Sequence, residues 1–357
     1  MRVLIIDTCY RRFLDAHYAE RPGLADERYE VQWRALMDRF FGTCDSYSHF
    51  LGQLGHDAHE IVLNCDPLQR AWAREHGIRV GRRLRLLRER PLVLSQVEDF
   101  RPDVVYVQDI GAVSPRLQAA LRARGRLLAG QIASEAPPYK QLAGFQLLLT
   151  SFPHFVSRFR DRGIDSEYFA LGFDPRVLAH VEGKTPVEEA VFVGALGRKQ
   201  HARGNELLER AALRVPIAFW GYDVDGRPPD SPMRRAYRGE AWGLDMFRVL
   251  ARARIALNRH IDVAEDYANN MRLYEATGVG TLLVTDAKRN LPDLFEPDVE
   301  VVTYVDEDEL VAKLQHYLAN EEERSRVARA GQQRTLRAHT YGRRMQELVE
   351  ILGRYGS

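Results

Sequence analysis

Arg272 and Glu275 stand three residues apart, a spacing that places a cation and a carboxylate on one face of a short helix. Asn269 or Asn270 can cap that helix, since an Asn side chain accepts from the free N–H groups of a first turn. The combination suits a ligand carrying phosphates and hydroxyls: the helix end and Arg272 meet the anion, and the two oxygens of Glu275 accept from a ribose diol. The plain alternative is an ion pair on a solvated helix face. A second group begins at Gly194 and Gly197, where a backbone can approach a ligand closely and Arg198, Lys199, His201 and Arg203 supply positive charge. Taken alone, that Gly-x-x-Gly is an ordinary strand-to-helix turn. Tyr222 and His260 each follow an apolar run, and a loop histidine in such a place is either structural or functional. In the first half, Asp109 and Glu135 are carboxylates at the exits of apolar runs, and His17 lies in a polar stretch behind the first run. For Asp109, helix capping and catalysis are both open.

These side chains need elements to hold them. Residues 3–6 form a continuous apolar run, read as a first parallel strand, and a long polar loop with Asp7, Thr8, Tyr10, Arg11, Arg12, Asp15 and His17 follows. Ligands of open α/β sheets bind beyond the carboxyl ends of strands, so this loop should face a site. Further runs without alternation occur at 58–63, 104–107, 127–132 and 146–150, then at 190–195, 217–223, 255–257, 281–285 and 299–304. That is the pattern of strands covered on both faces. Between them, 29–54 is helical in period with Trp33, Leu36, Met37, Phe40 and Phe41 as its core stripe. Ser114-Pro115 opens a helix as cap and first residue. Asp306 to Glu309 suit the start of another, 321–355 is helical throughout, and 227–239, with three prolines, reads as irregular. The polar stretch 182–189 is the best linker candidate.

At 357 residues the chain can bury two domain cores. Charged residues are 28% of it and the net charge is +1, so the overall balance calls for neither nucleic acid nor an anionic membrane. The arginine-rich stretch 67–90 is a solvated helix face or a local site for an acidic partner, and it lacks the interleaved aromatic residues of single-strand grooves. Cys9, Cys44 and Cys65 are odd in number and without metal-ligand spacing, which implies reduced thiols and a cytoplasmic protein. No apolar run reaches membrane-spanning length, and no repeat or signal segment is evident.

The run Met271-Arg272-Leu273-Tyr274-Glu275-Ala276-Thr277-Gly278-Val279-Gly280, followed by Leu282-Leu283-Val284-Thr285, resembles the C-terminal donor-binding domain of GT-B glycosyltransferases. Together with Tyr304 to Leu310 and His339-Thr340-Tyr341-Gly342-Arg343-Arg344, it is most similar to the CgeB-like branch with a group 1-type glycosyltransferase C-terminal domain. The resemblance implies an α/β fold of GT-B architecture, two Rossmann-like domains facing a central cleft. They would occupy 1–183 for the acceptor and 184–338 for the nucleotide-sugar, with a C-terminal helix at 339–357 crossing back. It also implies that Gly194, Gly197, Arg198 and Arg203 meet the diphosphate, Arg272 a phosphate and Glu275 the ribose, with Tyr222 near the base and His260 and Asn270 beside the donor pocket. A catalytic base, if the enzyme inverts, would be His17, Asp109 or Glu135. No metal or other cofactor is required in principle. The chain departs from the family where retaining members carry a second glutamate eight residues before the ribose glutamate, because Tyr267 stands there. Stereochemistry, donor sugar and acceptor are therefore left open. A sugar-nucleotide epimerase on the same scaffold and a non-catalytic sugar-nucleotide or glycan-binding protein are the two rival functions.

Overall fold

The computed structural model describes residues 1–79, 91–123, 126–181, 186–197 and 202–356, without the side chains of Ala202 and Arg203. Residues 80–90 of the arginine-rich stretch, 182–185 of the candidate linker, and Arg198, Lys199 and His201 lie outside the described residues, as does the side chain of Arg203. The chain divides into two compact units, Leu171–Arg343 and the combination of Met1–Ala170 with Arg344–Ser357. Its first division thus falls at Ala170 and Leu171, where the sequence reading placed it at 183, and the last segment clusters with the first unit.

The first unit is built on six parallel strands: β1 (Arg2–Asp7), β2 (Asp57–Val62), β3 (Val104–Val107), β4 (Leu127–Ile132), β5 (Leu147–Thr150) and β6 (Asp165–Tyr168). They lie in the order β2-β1-β3-β4-β5-β6. Every residue of β3, β4 and β5 is buried, as the unbroken apolar runs require of strands with helices on both faces. Only Thr8, Cys9 and Tyr10 separate β1 from the helix Arg11–Ala19, so the expected long polar loop is mostly helix. Phe13, Leu14 and His17 form its buried face, one turn apart. The expected helix over 29–54 is two, Tyr29–Met37 and Ser46–Gln53, because Phe40, Gly42 and Cys44 adopt φ of 51°, 61° and 41° between them. The apolar pattern runs across this break since Phe41 still packs inward, stacked on Phe13 at 4.2 Å.

The second unit carries β7 (Glu188–Ala195), β8 (Ala218–Tyr222), β9 (Tyr237–Gly239), β10 (Ala253–Leu257), β11 (Leu282–Asp286) and β12 (Val302–Tyr304). These are again all parallel, in the order β12-β11-β10-β7-β8-β9. The stretch 227–239 is more regular than its prolines suggest: Ser231 caps the helix Pro232–Arg235, and the edge strand β9 follows. A three-residue strand is too short to show a period. The helical pattern 321–355 is broken into Glu321–Ala338 and Tyr341–Tyr355. At the break, the Phe173 N–H donates to the His339 carbonyl at 2.8 Å and the Tyr341 N–H to the Phe173 carbonyl at 2.9 Å. Asp306 caps its helix as expected, accepting from the Glu309 N–H at 2.9 Å while the Glu309 carboxylate accepts from the Val305 N–H.

One buried carboxyl links the first sheet to its covering helix. Glu60 on β2 is 2% exposed, accepts from the Ser48 N–H at 2.8 Å and meets the Ser48 hydroxyl at 2.6 Å. Burial drives its pKa up to about 8, although both Ser48 bonds oppose the rise. A carboxyl whose folded pKa lies above its unfolded value contributes stability that is present at low pH and lost as pH rises through the folded value. Glu60→Gln preserves both bonds without the titration. In urea melts it should therefore gain stability relative to wild type between about pH 5.5 and about pH 9, by on the order of a few kcal/mol. A difference between the two proteins that stays constant with pH would show that Glu60 does not ionise in this range.

Candidate functional site

In the second unit the strand order reverses between β7 and β10, so the chains leaving these neighbours diverge and open a crevice at their carboxyl ends. The predicted residues gather there because four elements are tied together. Gly194 and Gly221 are opposite each other on β7 and β8. Gly221 has a φ of 139°, and a Cβ on it would stand 1.8 Å from the Gly194 carbonyl oxygen, so the close approach requires glycine at 221. Gly194 is less constrained, since a Cβ there would meet the Phe192 ring at 3.2 Å. Beyond β7 the turn is held from behind by residues the sequence reading passed over. The Asn205 amide donates to the Ala195 and Gly197 carbonyls at 3.2 and 2.7 Å, and Arg227 Nε donates to the Leu196 carbonyl at 2.7 Å. Arg227 is itself buried and paired with Glu209, which also accepts from Ser231. With those carbonyl oxygens occupied, the turn is a fixed scaffold for Gly194 and Gly197.

Asn270 ties the helix Arg272–Gly278 to the exit of β10. Its Nδ2 donates to Asn258 Oδ1 at 2.8 Å and to the Arg259 carbonyl at 3.2 Å, while its Oδ1 accepts from the Leu273 N–H at 3.3 Å. Asn270, not Asn269, is thus the side chain that caps this helix. The cap brings Arg272 across to β7, where Nη2 donates to the Val193 carbonyl at 3.2 Å and Nη1 lies 3.0 Å from Met246 Sδ. Arg272 Nη1 also pairs with Glu275 at 2.8 Å, with both side chains largely buried. Neither sequence reading covers this fully: the ion pair exists, yet it is inside and not on a solvated face. Burial pushes the Glu275 carboxyl above the ordinary carboxylate range, with Arg272 pulling it partly back.

His260, at the exit of β10, is 6% exposed and faces the exit of β11. Its backbone N–H and its Nδ1 both meet Asp286 Oδ1, at 3.0 and 2.7 Å. Burial alone would raise the Asp286 pKa, but the His260 bond and charge, with Lys288 behind them, hold it below the ordinary range. Asp286 was missed in sequence although it ends a buried strand, the same signal that singled out Asp109. Arg259 was missed too; it sits over the Phe192 ring at 5.5 Å and donates to Asn205 Oδ1 at 2.7 Å, placing a cation beside the Gly194 to Gly197 turn. Tyr222, at the end of β8, stacks on Trp242 with ring centroids 5.4 Å apart.

In the first unit the order reverses between β1 and β3, so the corresponding crevice lies between Asp7 to Cys9 and Gln108-Asp109. Asp109 is there, with both carboxylate oxygens used: Oδ2 accepts from the Thr8 hydroxyl at 2.6 Å and Oδ1 from the Gly111 N–H at 3.1 Å. Its capping role is therefore realised. His17 is elsewhere, 0% exposed against Phe13 and Tyr18. Burial, reinforced by Arg39 and Arg21, lowers its pKa to about 4, so it is a neutral core histidine. Glu135 is exposed on the bend after β4. The residue that stands at the reversal is Asp7, the last of β1, which the sequence placed in a polar loop. Burial raises its pKa to about 7, opposed by the Thr8 N–H and assisted by the charge of Asp109.

The two glycines can be told apart. Gly221→Ala should cost on the order of 2–4 kcal/mol, because a backbone oxygen cannot yield, and Gly194→Ala much less. Thermal melts of both variants check this, and equal losses would show that the β7–β8 approach does not depend on residue 221.

Residues 198–350 match the family model described as "Glycosyl transferase-like". Among curated proteins no sequence matches the chain. Solved structures similar over nearly the whole length include sucrose-phosphate synthase from Thermosynechococcus elongatus, at TM-score 0.60 and 12% identity over 99% of each chain. Anabaena HepE in complex with UDP-glucose gives 0.61 and 13%, again over 99% of each. AviGT4, a glycosyltransferase involved in avilamycin A biosynthesis, gives 0.55 and 16% over 98% of this chain and 96% of that one. Two parallel six-stranded sheets, each reversing its strand order at a crevice, give this chain the GT-B glycosyltransferase fold, with residues 198–350 matching a glycosyl transferase-like family model.

Proposed function

We propose that the chain transfers a glycosyl group from a nucleotide-sugar to a hydroxyl acceptor, without a metal ion. The observation that carries this reading is the convergence of the Gly194 to Gly197 turn, Arg272, Asn270 and Glu275 at the β7–β10 reversal, inside the region that matches a glycosyl transferase-like family. Departure of a nucleoside diphosphate from the anomeric carbon develops negative charge on the phosphate, and fixed cations aimed at that charge lower the barrier. Arg272 and Arg259 stand at the reversal, and Arg198 and Arg203 follow the turn in sequence. Glu275 takes the ribose hydroxyls, with Arg272 exchanging its carboxylate partner for phosphate as the nucleotide enters. A uridine nucleotide is the first donor to try, since the HepE structure holds UDP-glucose. Within glycosyltransferases the order Arg-x-x-Glu-Ala, glycine and strand, then His-Thr, supports the reading that the chain is of the CgeB-like branch. Cys9, Cys44 and Cys65 form no disulfide, in keeping with a cytoplasmic site of action. Among the described residues, no helix is long and apolar enough to cross a membrane.

A melting-temperature screen with uridine, guanosine, thymidine and adenosine diphosphates identifies the base, because a ligand at about a hundredfold over its Kd adds ~2.7 kcal/mol. Incubation with the matching nucleotide-sugar should then give a new glycoside. A changed sugar would identify an epimerase, and binding without turnover a sugar-nucleotide-binding protein. Glu275→Gln should weaken nucleotide binding by about tenfold or more in calorimetric titration, and discriminate less against a 2′-deoxyribose analogue. Unchanged affinity would remove Glu275 from the donor site.

Activity should survive EDTA. Asp223 and Asp225 have the Asp-x-Asp spacing, but Asp223 adopts a left-handed φ of 65° at the start of the turn Val224–Gly226. Loss of turnover in EDTA, restored by Mn²⁺, would assign those two aspartates to a metal.

A further inference from the structure

Residues 258–271 connect the end of β10 to the helix Arg272–Gly278, and their one regular stretch is the short 3-10 turn Asp262–Ala264. A free connection of that length would leave its last residues loosely placed. This one is strapped to the exit of β11. At its near end His260 bonds Asp286 through its N–H and its Nδ1. In the middle, Lys288 Nζ donates to the Glu265 carbonyl at 2.7 Å and the Arg289 N–H donates to the Asp266 carbonyl at 3.0 Å. At its far end, Asn290 grips both backbone groups of Ala268. Asn290 Oδ1 accepts from the Ala268 N–H at 2.6 Å, and its Nδ2 donates to the Ala268 carbonyl at 3.3 Å.

The shape of the strap is imposed from outside. Glu265 adopts a φ of 51° and a ψ of −123°, which a residue with a Cβ resists, so its neighbours must hold it there. Asn290 stands at the N-cap of the helix Leu291–Leu294, where its side chain could serve its own first turn. It makes no cap bond and is turned to Ala268 instead. Asn290 and Ala268 are 8% and 1% exposed, so water cannot take over these bonds.

We propose that Asn290 is a positioning residue for the phosphate end of the donor, acting through Ala268 and Asn270 on Arg272. The assignment rests on the glycosyl-transfer reading above. Ala268 lies two residues before Asn270, whose side chain caps the Arg272 helix and bonds the β10 exit. Fixing Ala268 fixes the backbone that enters this cap, and the cap sets Arg272 against the Val193 carbonyl of β7. The body of the helix has anchors of its own. Tyr274 packs on Phe295 and His339, Thr277 Oγ1 lies 2.6 Å from Thr335 Oγ1, and the Gln332 amide donates to the Gly278 carbonyl at 3.0 Å. The start of the helix, with Arg272, therefore depends on the strap, and the part from Tyr274 onward, with Glu275, does not. An amide suits position 290 because it offers a donor and an acceptor side by side, whereas a carboxylate would meet the Ala268 N–H and repel its carbonyl.

The test uses the full chain, with UDP or whichever nucleoside diphosphate stabilises it most, and the matching nucleoside, which has no phosphate. Asn290→Ala should raise the diphosphate Kd in calorimetric titration by about tenfold and leave the nucleoside Kd, from ligand-observed NMR, within about twofold. Asn290→Asp still accepts from the Ala268 N–H, so its diphosphate Kd should fall between the two. In an Arg272→Ala background, Asn290→Ala should add no more than about twofold, because the group it positions is gone. Lys288→Met keeps the side-chain stem and releases the strap only at Glu265, and it carries the test should Asn290→Ala fail to fold. Its diphosphate Kd should rise by about threefold with the nucleoside Kd unmoved. Equal losses for diphosphate and nucleoside in either variant, an unchanged diphosphate Kd in a folded Asn290→Ala, or a full tenfold loss in the Arg272→Ala background would each overturn the proposal. A wild type that binds no nucleoside diphosphate would instead overturn the glycosyl-transfer reading and this assignment with it.

Discussion

Parallel strands cannot be joined by tight turns, and this constraint organises the whole molecule. Each strand must be returned by a crossover, usually a helix, so both faces of each sheet are covered and every strand exit opens on the same edge. Where the order reverses, two exits diverge and the edge opens into a crevice. Each unit has one such place, between β1 and β3 in the first and between β7 and β10 in the second. Most of the polar groups of the candidate site stand at those two reversals, whereas β3, β4 and β5 are buried along their whole length.

Burying charge at such a place is costly unless each group is paired, so the reversals are lined with interlocked polar groups. In the second unit, Arg227 with Glu209 and Arg272 with Glu275 neutralise one another while each arginine bonds a backbone carbonyl, and His260 is hydrogen-bonded to Asp286 through its ring and its backbone N–H. The same bonds that satisfy the charges fix the loops. Arg227 and Asn205 turn the carbonyls of the β7 exit inward, and Asn270 locks a helix cap to the β10 exit. Preorganisation of this kind lets a site meet developing charge without rearranging its scaffold. Arg272 is held twice, by Glu275 and by the Val193 carbonyl.

The first unit uses neutral groups for the same purpose. The Gln131 carbonyl accepts from the buried hydroxyls of Tyr47 and Tyr106, and the Gln108 carbonyl accepts from the Thr43 hydroxyl.

Continuous apolar runs such as 104–107 and 281–285 were sufficient to identify buried parallel strands, and local signals sufficed for the Ser114 and Asp306 caps. Both depend on neighbours in sequence: a strand covered on both faces needs every residue apolar, and a cap needs one acceptor beside free N–H groups. The spacing of Arg272 and Glu275 likewise foretold their pairing. Their burial did not follow from it, because β7 and Met246, distant in sequence, enclose them. His17 looked like a loop residue because nothing in a polar stretch reveals which face of the helix Arg11–Ala19 turns inward. Asp109 could be a cap or a catalytic group by sequence, and only the tertiary contacts with Thr8 and Gly111 show both of its oxygens engaged. Gly221 was one glycine among many until Gly194 came within 2 Å of where its side chain would be. Strand identity and helix capping are one-dimensional properties of this chain. Burial, partner choice and strand order are set by residues far apart in sequence, and they alone decided which of its polar side chains stand at a site.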